Sequence, residues 1–148
     1  LTQMPKVPGT DGRKMSKSYG NAIELSGSSE EIARKINPMV TDPARKRRTD
    51  PGNPDICPVF DLHRIFTPEG PRESCAQGCR TAAIGCLDCK AVLLEHMLPP
   101  LAAIRERRQR WAERPKEMLE ILHEGSRRAQ AIARLTMDEV RDAIRLEP

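Results

Sequence analysis

Between Gly9 and Asn21 the chain reads Gly-Thr-Asp-Gly-Arg-Lys-Met-Ser-Lys-Ser-Tyr-Gly-Asn. Lys14 and Lys17 alternate there with the hydroxyls of Ser16 and Ser18, and Gly9, Gly12 and Gly20 let the backbone approach a bound group closely. These are the parts a polyphosphate needs. Each lysine carries a mobile point charge with three donors, each serine a neutral donor, and both can follow negative charge as it builds on a departing oxygen. Short Gly/Lys/Ser turns also occur as plain solvated surface, so composition alone leaves both readings open.

The second reactive group is sulfur. Of five cysteines, Cys57, Cys79, Cys86 and Cys89 fall as C-x21-C-x6-C-x2-C, and Cys75 is left over. The odd count and a reducing compartment speak against a disulfide framework. Cys86 and Cys89 open a helical stretch, where two thiolates three residues apart can grip one metal centre and the helix N-terminus helps keep them deprotonated. Four thiolates make a tetrahedral zinc site or a cuboidal iron-sulfur cluster, and ligand type does not separate the two. The alternative is four small buried hydrophobes. Gly78 and Gly85, each just before a cysteine, favour a backbone that needs room beside a bound group. His63, His96 and His123 fall on separate helices without metal-ligand spacing and read as surface or half-buried residues, not ligands.

The elements that must position these groups are helical. The chain has 148 residues, 38% hydrophobic with four aromatics, which argues for aliphatic helix packing. Residues 1–27 read as loop, with an extended entry over Gln3 to Val7. Ser28 and Glu31 form a capping box, and Ile32, Ile36 and Val40 mark one buried face of a helix ended by Pro38. Residues 41–55 are a Pro-rich linker around the cations Arg45 to Arg48, either solvated surface or a phosphate contact. Pro58 starts a helix carrying Val59, Leu62, Ile65 and Phe66, and Thr67 to Pro71 breaks it. A long helix follows from Cys86 to about Trp111 with Leu94, Leu98, Leu101 and Ile104 on one side, and Pro99-Pro100 must kink or split it. A further helix starts near Pro115 with Leu119, Leu122, Ala129, Ile132 and Ala133. A last one is capped by Thr136 and Glu139, with Met137, Val140 and Ile144 inward. The fold class is therefore mainly α: a helical bundle with a phosphate loop on its N-terminal side.

The net charge of +4 fits an anionic partner without identifying it. No apolar run approaches the ~20 residues that span a bilayer and no secretory signal is evident, so the chain reads as cytoplasmic, without a membrane partner. A start at Leu1, so close to the lysine loop, reads as part of a longer polypeptide.

Lys14-Met15-Ser16-Lys17-Ser18 matches the KMSKS motif of class I aminoacyl-tRNA synthetases, and Gly9-x-Asp11-Gly12 before it with Asn21 after it resembles the setting in the tryptophanyl-tRNA synthetase family. Gly85-Cys86-x-Asp88-Cys89-Lys90, Pro100-x-x-x-Ile104-Arg105-Glu106-Arg107 and Ile132-Ala133-x-x-Thr136-Met137 extend the likeness through nearly the whole chain. The resemblance implies ATP-dependent activation of tryptophan and transfer to its tRNA by an intact enzyme using ATP with Mg, as a homodimer. Lys14 and Lys17 would be catalytic, stabilising the departing pyrophosphate, and Lys14, Met15, Ser16, Lys17 and Ser18 would bind ATP, with Met15 anchoring the loop. It further implies residues 1–40 as the remnant of a truncated dinucleotide-fold catalytic domain. Residues 41–148 would be a helical tRNA anticodon-binding region. Without the HIGH motif and tryptophan pocket, the chain alone would be inactive. The cysteine spacing resembles that of family members with a four-iron, four-sulfur cluster, whose first interval is one residue longer. Cys57, Cys79, Cys86 and Cys89 are then the metal ligands, with Cys75 as competitor to Cys79 and zinc as the alternative metal. Arg105, Arg107, Arg108, Arg110, Arg127, Arg128 and Arg134 are candidate RNA-phosphate contacts, with Trp111 as a base-stacking residue. The competing reading is a non-catalytic cysteine-cluster module that binds RNA.

Overall fold

In a computed structural model, residues 5–145 are described, so Gln3 of the expected extended entry lies outside the described residues. The chain divides into two compact units, Leu1–Glu106 and Arg107–Pro148. Among the described residues the architecture is helical, and the extended backbone is limited to an isolated antiparallel bridge between Pro8 and Lys14. No helix is long and apolar enough to cross a membrane among the described residues.

In the first unit, α1 (Ser29–Ile36) starts where the sequence places it. The Glu31 backbone N–H donates to Ser28 Oγ at 3.2 Å, and the Ser28 backbone N–H donates to Glu31 Oε2 at 2.7 Å, satisfying two donors that a helix start leaves open. Ile32 and Ile36 are buried, but Val40 is exposed, because the helix has ended and the chain turns Met39 inward instead. The next helix, α2 (Pro58–Phe66), buries Val59, Phe60, Leu62 and His63 and leaves Ile65 outside the stripe expected for it.

The break expected over Thr67 to Pro71 does end α2 at Phe66, but it is shorter than expected, because a third helix, α3 (Glu69–Arg80), starts within it. Pro68 is its N-cap and Pro71 falls in its first turn, where a missing N–H costs nothing. The long helix α4 (Cys86–Ala112) is not split by Pro99 and Pro100. Both prolines lie on the exposed side of the helix. Its inner face is Lys90, Leu93, Met97 and Leu101: Leu101 lies inward as expected, whereas Leu94, Leu98 and Ile104 sit at the margin. Leu93, Met97 and Leu101 join Ile23, Ile32, Ile36, Met39, Val59 and Leu62 in one core, each large side chain contributing about 1.5–3 kcal/mol by leaving water.

The second unit contains α5 (Pro115–Ala143), a single helix where two were expected. Thr136 does not cap: its Oγ1 donates back to the Ile132 carbonyl at 3.4 Å, which a helix interior tolerates. Leu119, Leu122, Ile132, Met137, Val140 and Ile144, expected inward, are exposed, and α5 buries none of its residues. Apolar periodicity reports a face suited to burial and carries no information on what covers it. Charge pairs along the helix, Glu124 with Arg127 at 2.6 Å and Asp138 with Arg141 at 3.1 Å, add a few tenths of a kcal/mol each.

Candidate functional site

Two sites are built in the first unit. Around the lysine loop, the Met15 N–H donates to the Val7 carbonyl at 2.9 Å and the Gly9 N–H to the Arg13 carbonyl at 2.7 Å, closing a tight excursion. Gly12 makes the turn at φ +78°, and Gly20, at φ +65°, ends a short 3-10 turn over Lys17–Tyr19. The loop is tied to α1's end by the Val40 N–H, which donates to the Thr10 carbonyl at 3.0 Å.

Asn21 holds this loop from inside. It is buried, its Oδ1 accepts from the Ser16 N–H at 2.8 Å, and its Nδ2 donates to Asp11 Oδ1 at 2.7 Å and to the Lys14 carbonyl at 3.2 Å. A Cβ on Gly9 would come 2.4 Å from that amide, so only glycine fits there. The Asn21 amide foremost, and then Arg13, hold the Asp11 carboxyl below the usual carboxylate range. Asn21→Ala would leave the Ser16 N–H and Lys14 carbonyl without their partner, and we expect a loss of about 1–3 kcal/mol, read as a lower urea midpoint.

The order this imposes separates the motif residues by role. Met15 is tucked against the main core, while Lys14 and Lys17 are exposed, with no carboxylate in ion-pair range among the described residues. Ser16 Oγ and Ser18 Oγ lie 2.9 Å apart. Two unpaired ammonium groups and two hydroxyls therefore project from one anchored loop, an arrangement able to grip a polyphosphate.

The sulfur site lies where α2, α3 and α4 meet. Cys57 is the N-cap of α2, Cys79 sits near the end of α3, and Cys86 and Cys89 lie in the first turn of α4. All four line one cavity of about 20 Å³, together with Arg45, Pro54 and Phe60. Cys75 does not line it. It is buried against Phe60 and Ala76, and a cluster of His63, Cys75 and Cys89 has its ligand atoms within 4.8 Å of one another. His63, expected at the surface, is buried: Nδ1 is 2.9 Å from Thr67 Oγ1 and Nε2 is 3.3 Å from Cys89 Sγ. Burial holds its imidazole well below the ordinary value, at about 4, so it is neutral at neutral pH.

Burial pushes the thiols of Cys75, Cys79 and Cys89 up, so without a cation they remain thiols and a metal would bind by displacing their protons. The surroundings fit such a group. Two helix N-termini converge on the cavity, and a Cβ at Gly52 would come 2.7 Å from Cys79 Sγ. The guanidinium of Arg45 enters from the basic run: Nη2 donates to the Ile84 and Arg48 carbonyls, Nη1 lies 3.7 Å from Cys79 Sγ, and Nε is buried with no partner. Arg45 thus borders a cavity lined by four cysteines, a ligand type that zinc and iron-sulfur clusters both take, while the ligand atoms that converge within 4.8 Å among the described residues are those of His63, Cys75 and Cys89.

The sequence reading missed two of these residues. Arg45 gave no signal, because nothing in Arg45 to Arg48 tells which cation turns inward; Arg48 pairs with Asp88 at 3.4 Å, leaving Lys46 and Arg47 exposed. Lys90 did leave one, since it occupies an inner position of α4's apolar register. Its Nζ donates to the Asn37 and Met39 carbonyls at 2.6 Å each, closing the end of α1 with a cation. Of the arginines read as RNA contacts, Arg105 turns to Ser29 Oγ at 3.3 Å and Arg127 and Arg128 pair with Glu124; Arg107, Arg108, Arg110 and Arg134 are exposed.

Known proteins match nearly the whole chain. Residues 1–98 match the family model described as tRNA synthetases class I (W and Y). The chain is 48% identical to the tryptophan--tRNA ligase of Aquifex aeolicus over 99% of its own length and 37% of the relative. It is equally 48% identical to that of Thermotoga maritima, over 99% of this chain and 45% of the relative. Among solved structures, tryptophanyl-tRNA synthetase from Campylobacter jejuni complexed with ADP and tryptophane superposes with a TM-score of 0.82 at 29% identity, covering 99% of this chain and 45% of that one. The Aeropyrum pernix enzyme gives 0.60 at 30% identity over 68% of this chain and 29% of that one. The chain thus spans less than half the length of these relatives.

Proposed function

The chain belongs to the tryptophanyl-tRNA synthetase family of class I, and we propose that it is the part of a tryptophan-tRNA ligase that carries the KMSKS loop and the helical tRNA-binding region. The observation that carries this reading is the anchored loop from which Lys14 and Lys17 project unpaired. In the intact cytoplasmic enzyme, ATP with Mg activates tryptophan. Lys14 and Lys17 follow the charge that develops on the pyrophosphate, Ser16 and Ser18 orient phosphate oxygens, and Met15 and Asn21 hold the loop in register. Residues 1–40 complete the nucleotide site and residues 41–148 meet tRNA through their cationic surface. Activation of tryptophan is proposed for the whole enzyme, of whose relatives this chain spans less than half the length. Homodimer formation belongs to the intact enzyme as well.

We further propose that Cys57, Cys79, Cys86 and Cys89 hold a four-iron, four-sulfur cluster, or zinc as the alternative. Their shared cavity and the unpartnered Arg45 donor support it. When bound, the group supplies a rigid anionic centre that staples α2, α3 and α4. The chain's own residues do the positioning: Arg45 faces the sulfur, Gly52 leaves space for it, and Lys90 locks α1 against α4.

A chimera tests the synthetase reading: this chain replaces the equivalent segment of the Aquifex enzyme, and pyrophosphate exchange and tRNA charging are measured. An active chimera beside an inactive isolated chain is expected. A folded chimera that binds tRNA but forms no adenylate would instead favour the non-catalytic cysteine-cluster module, which the same cavity and the exposed Lys46 and Arg47 support.

A further inference from the structure

His63 is wholly buried, yet it belongs neither to the lysine loop nor to the lining of the four-cysteine cavity. Phe60 lies tilted against its ring, 5.6 Å away between centroids. A neutral imidazole carries one ring hydrogen, and two neighbours settle where it sits. Nε2 lies 3.2 Å from the Cys89 carbonyl oxygen, which only accepts, so a bare Nε2 would set lone pair against lone pair inside the core. Nε2 therefore carries the hydrogen. Nδ1 is then bare and accepts from Thr67 Oγ1, 2.9 Å away, a buried hydroxyl that can turn to donate. The same Nε2–H lies 3.3 Å from Cys89 Sγ, so one hydrogen is shared between the carbonyl and the sulfur of a single residue.

Resting on the reading that Cys57, Cys79, Cys86 and Cys89 hold a metal centre, we infer that His63 is a positioning residue for that centre, oriented by Thr67 and donating its Nε2–H to the Cys89 sulfur. Ligation by His63 would need the opposite tautomer, with the hydrogen on Nδ1 and the freed Nε2 lone pair held against the Cys89 carbonyl. The convergence of His63, Cys75 and Cys89 within 4.8 Å is thus a hydrogen-bonded group and not a second metal site. A donor aimed at a ligand sulfur stabilises the more negative state of an iron-sulfur centre, so His63 raises its reduction potential.

The full chain is tested in two forms. Loaded with zinc and labelled at histidine, it gives a long-range proton–nitrogen NMR spectrum that tells the two tautomers apart, with His63→Leu identifying the His63 signals; Nε2–H is expected. Loaded with iron and sulfide, it is titrated anaerobically with dithionite as the electron source. His63→Leu should keep its iron and sulfide while one-electron reduction becomes about ten-fold less favourable, a midpoint lower by about 59 mV. Thr67→Val, nearly isosteric and suited to the case in which His63→Leu does not fold, should move the midpoint the same way by about three-fold, and Thr67→Ser should restore it. A midpoint unmoved in both variants overturns the inference and leaves the four-cysteine centre standing. An Nδ1–H tautomer, with metal lost in His63→Leu, makes His63 a ligand and overturns both. A chain that loads only zinc is decided by the tautomer alone, Nε2–H supporting the inference and Nδ1–H overturning it. Uptake of neither zinc nor iron and sulfide overturns both.

Discussion

If the four cysteines hold the proposed metal centre, Cys79→Ser is expected to empty it and Cys75→Ser is not, when anaerobically purified protein is assayed for iron, sulfide and zinc. The expected content of the Cys79 variant is below about a tenth of the parent, because a hydroxyl at that position is a poor ligand for a thiophilic centre and three thiolates do not close a four-point site. Cys79 faces the shared cavity with Arg45 beside its sulfur, whereas Cys75 points into the Phe60 and Ala76 cluster. In the parent, a broad band near ~400 nm with iron and sulfide identifies the cluster; a colourless protein with one zinc per chain identifies the staple. The Cys75 variant keeps the metal and loses only a buried contact, about 1 kcal/mol in a denaturation midpoint. The opposite pattern, metal retained in Cys79→Ser and lost in Cys75→Ser, would move the centre to His63, Cys75 and Cys89, whose ligand atoms also converge. A parent without metal returns all five sulfurs to the core.

How far the sequence carries this picture depends on whether a feature is set locally. The capping box at Ser28 and Glu31 and the helix start at Pro58 are fixed by residues a few positions apart, and they were legible. The α3 helix was not, because Pro68 and Pro71 are breakers inside a helix but neutral in its first turn, and only the tertiary position of Glu69–Arg80 reveals which applies. Its absence from the reading mattered, since α3 carries both Cys75 and Cys79, and the choice between them is a matter of which face turns to α2 and α4. Interval counting favoured Cys79 without knowing the helix. His63 was misjudged for the same reason: its neighbours Thr67 and Cys89 come from one turn on and from another helix, and no local pattern announces a satisfied buried imidazole. On α5 the pattern was right about amphipathicity and wrong about burial, because a stripe states what a helix could bury, and the covering surface is set by elements elsewhere.

Lys17→Ala, made in the active chimera, is expected to lower kcat by about 10²–10³ while the KM for ATP changes by less than about three-fold. The reason lies in timing. Lys17 stands exposed on a 3-10 turn with no carboxylate partner, so its charge is not committed in the resting protein and is available when negative charge grows on the leaving pyrophosphate. An interaction made mainly in the transition state raises turnover, whereas one made equally in the ground state would appear in KM. Lys14 leaves the same loop three residues earlier, with its carbonyl held by Asn21, so the buried amide fixes the backbone from which its exposed side chain departs. The two lysines act on one charge, and the double variant should therefore lose less than the product of the single losses. Asn21→Ala provides the control: it should lower the effect of both lysines together by loosening the loop, and restoring loop order with saturating ATP should recover part of the rate. If Lys17→Ala kept its turnover and lost ATP affinity instead, the lysine would be a ground-state clamp, and the loop's exposed charges would serve binding alone.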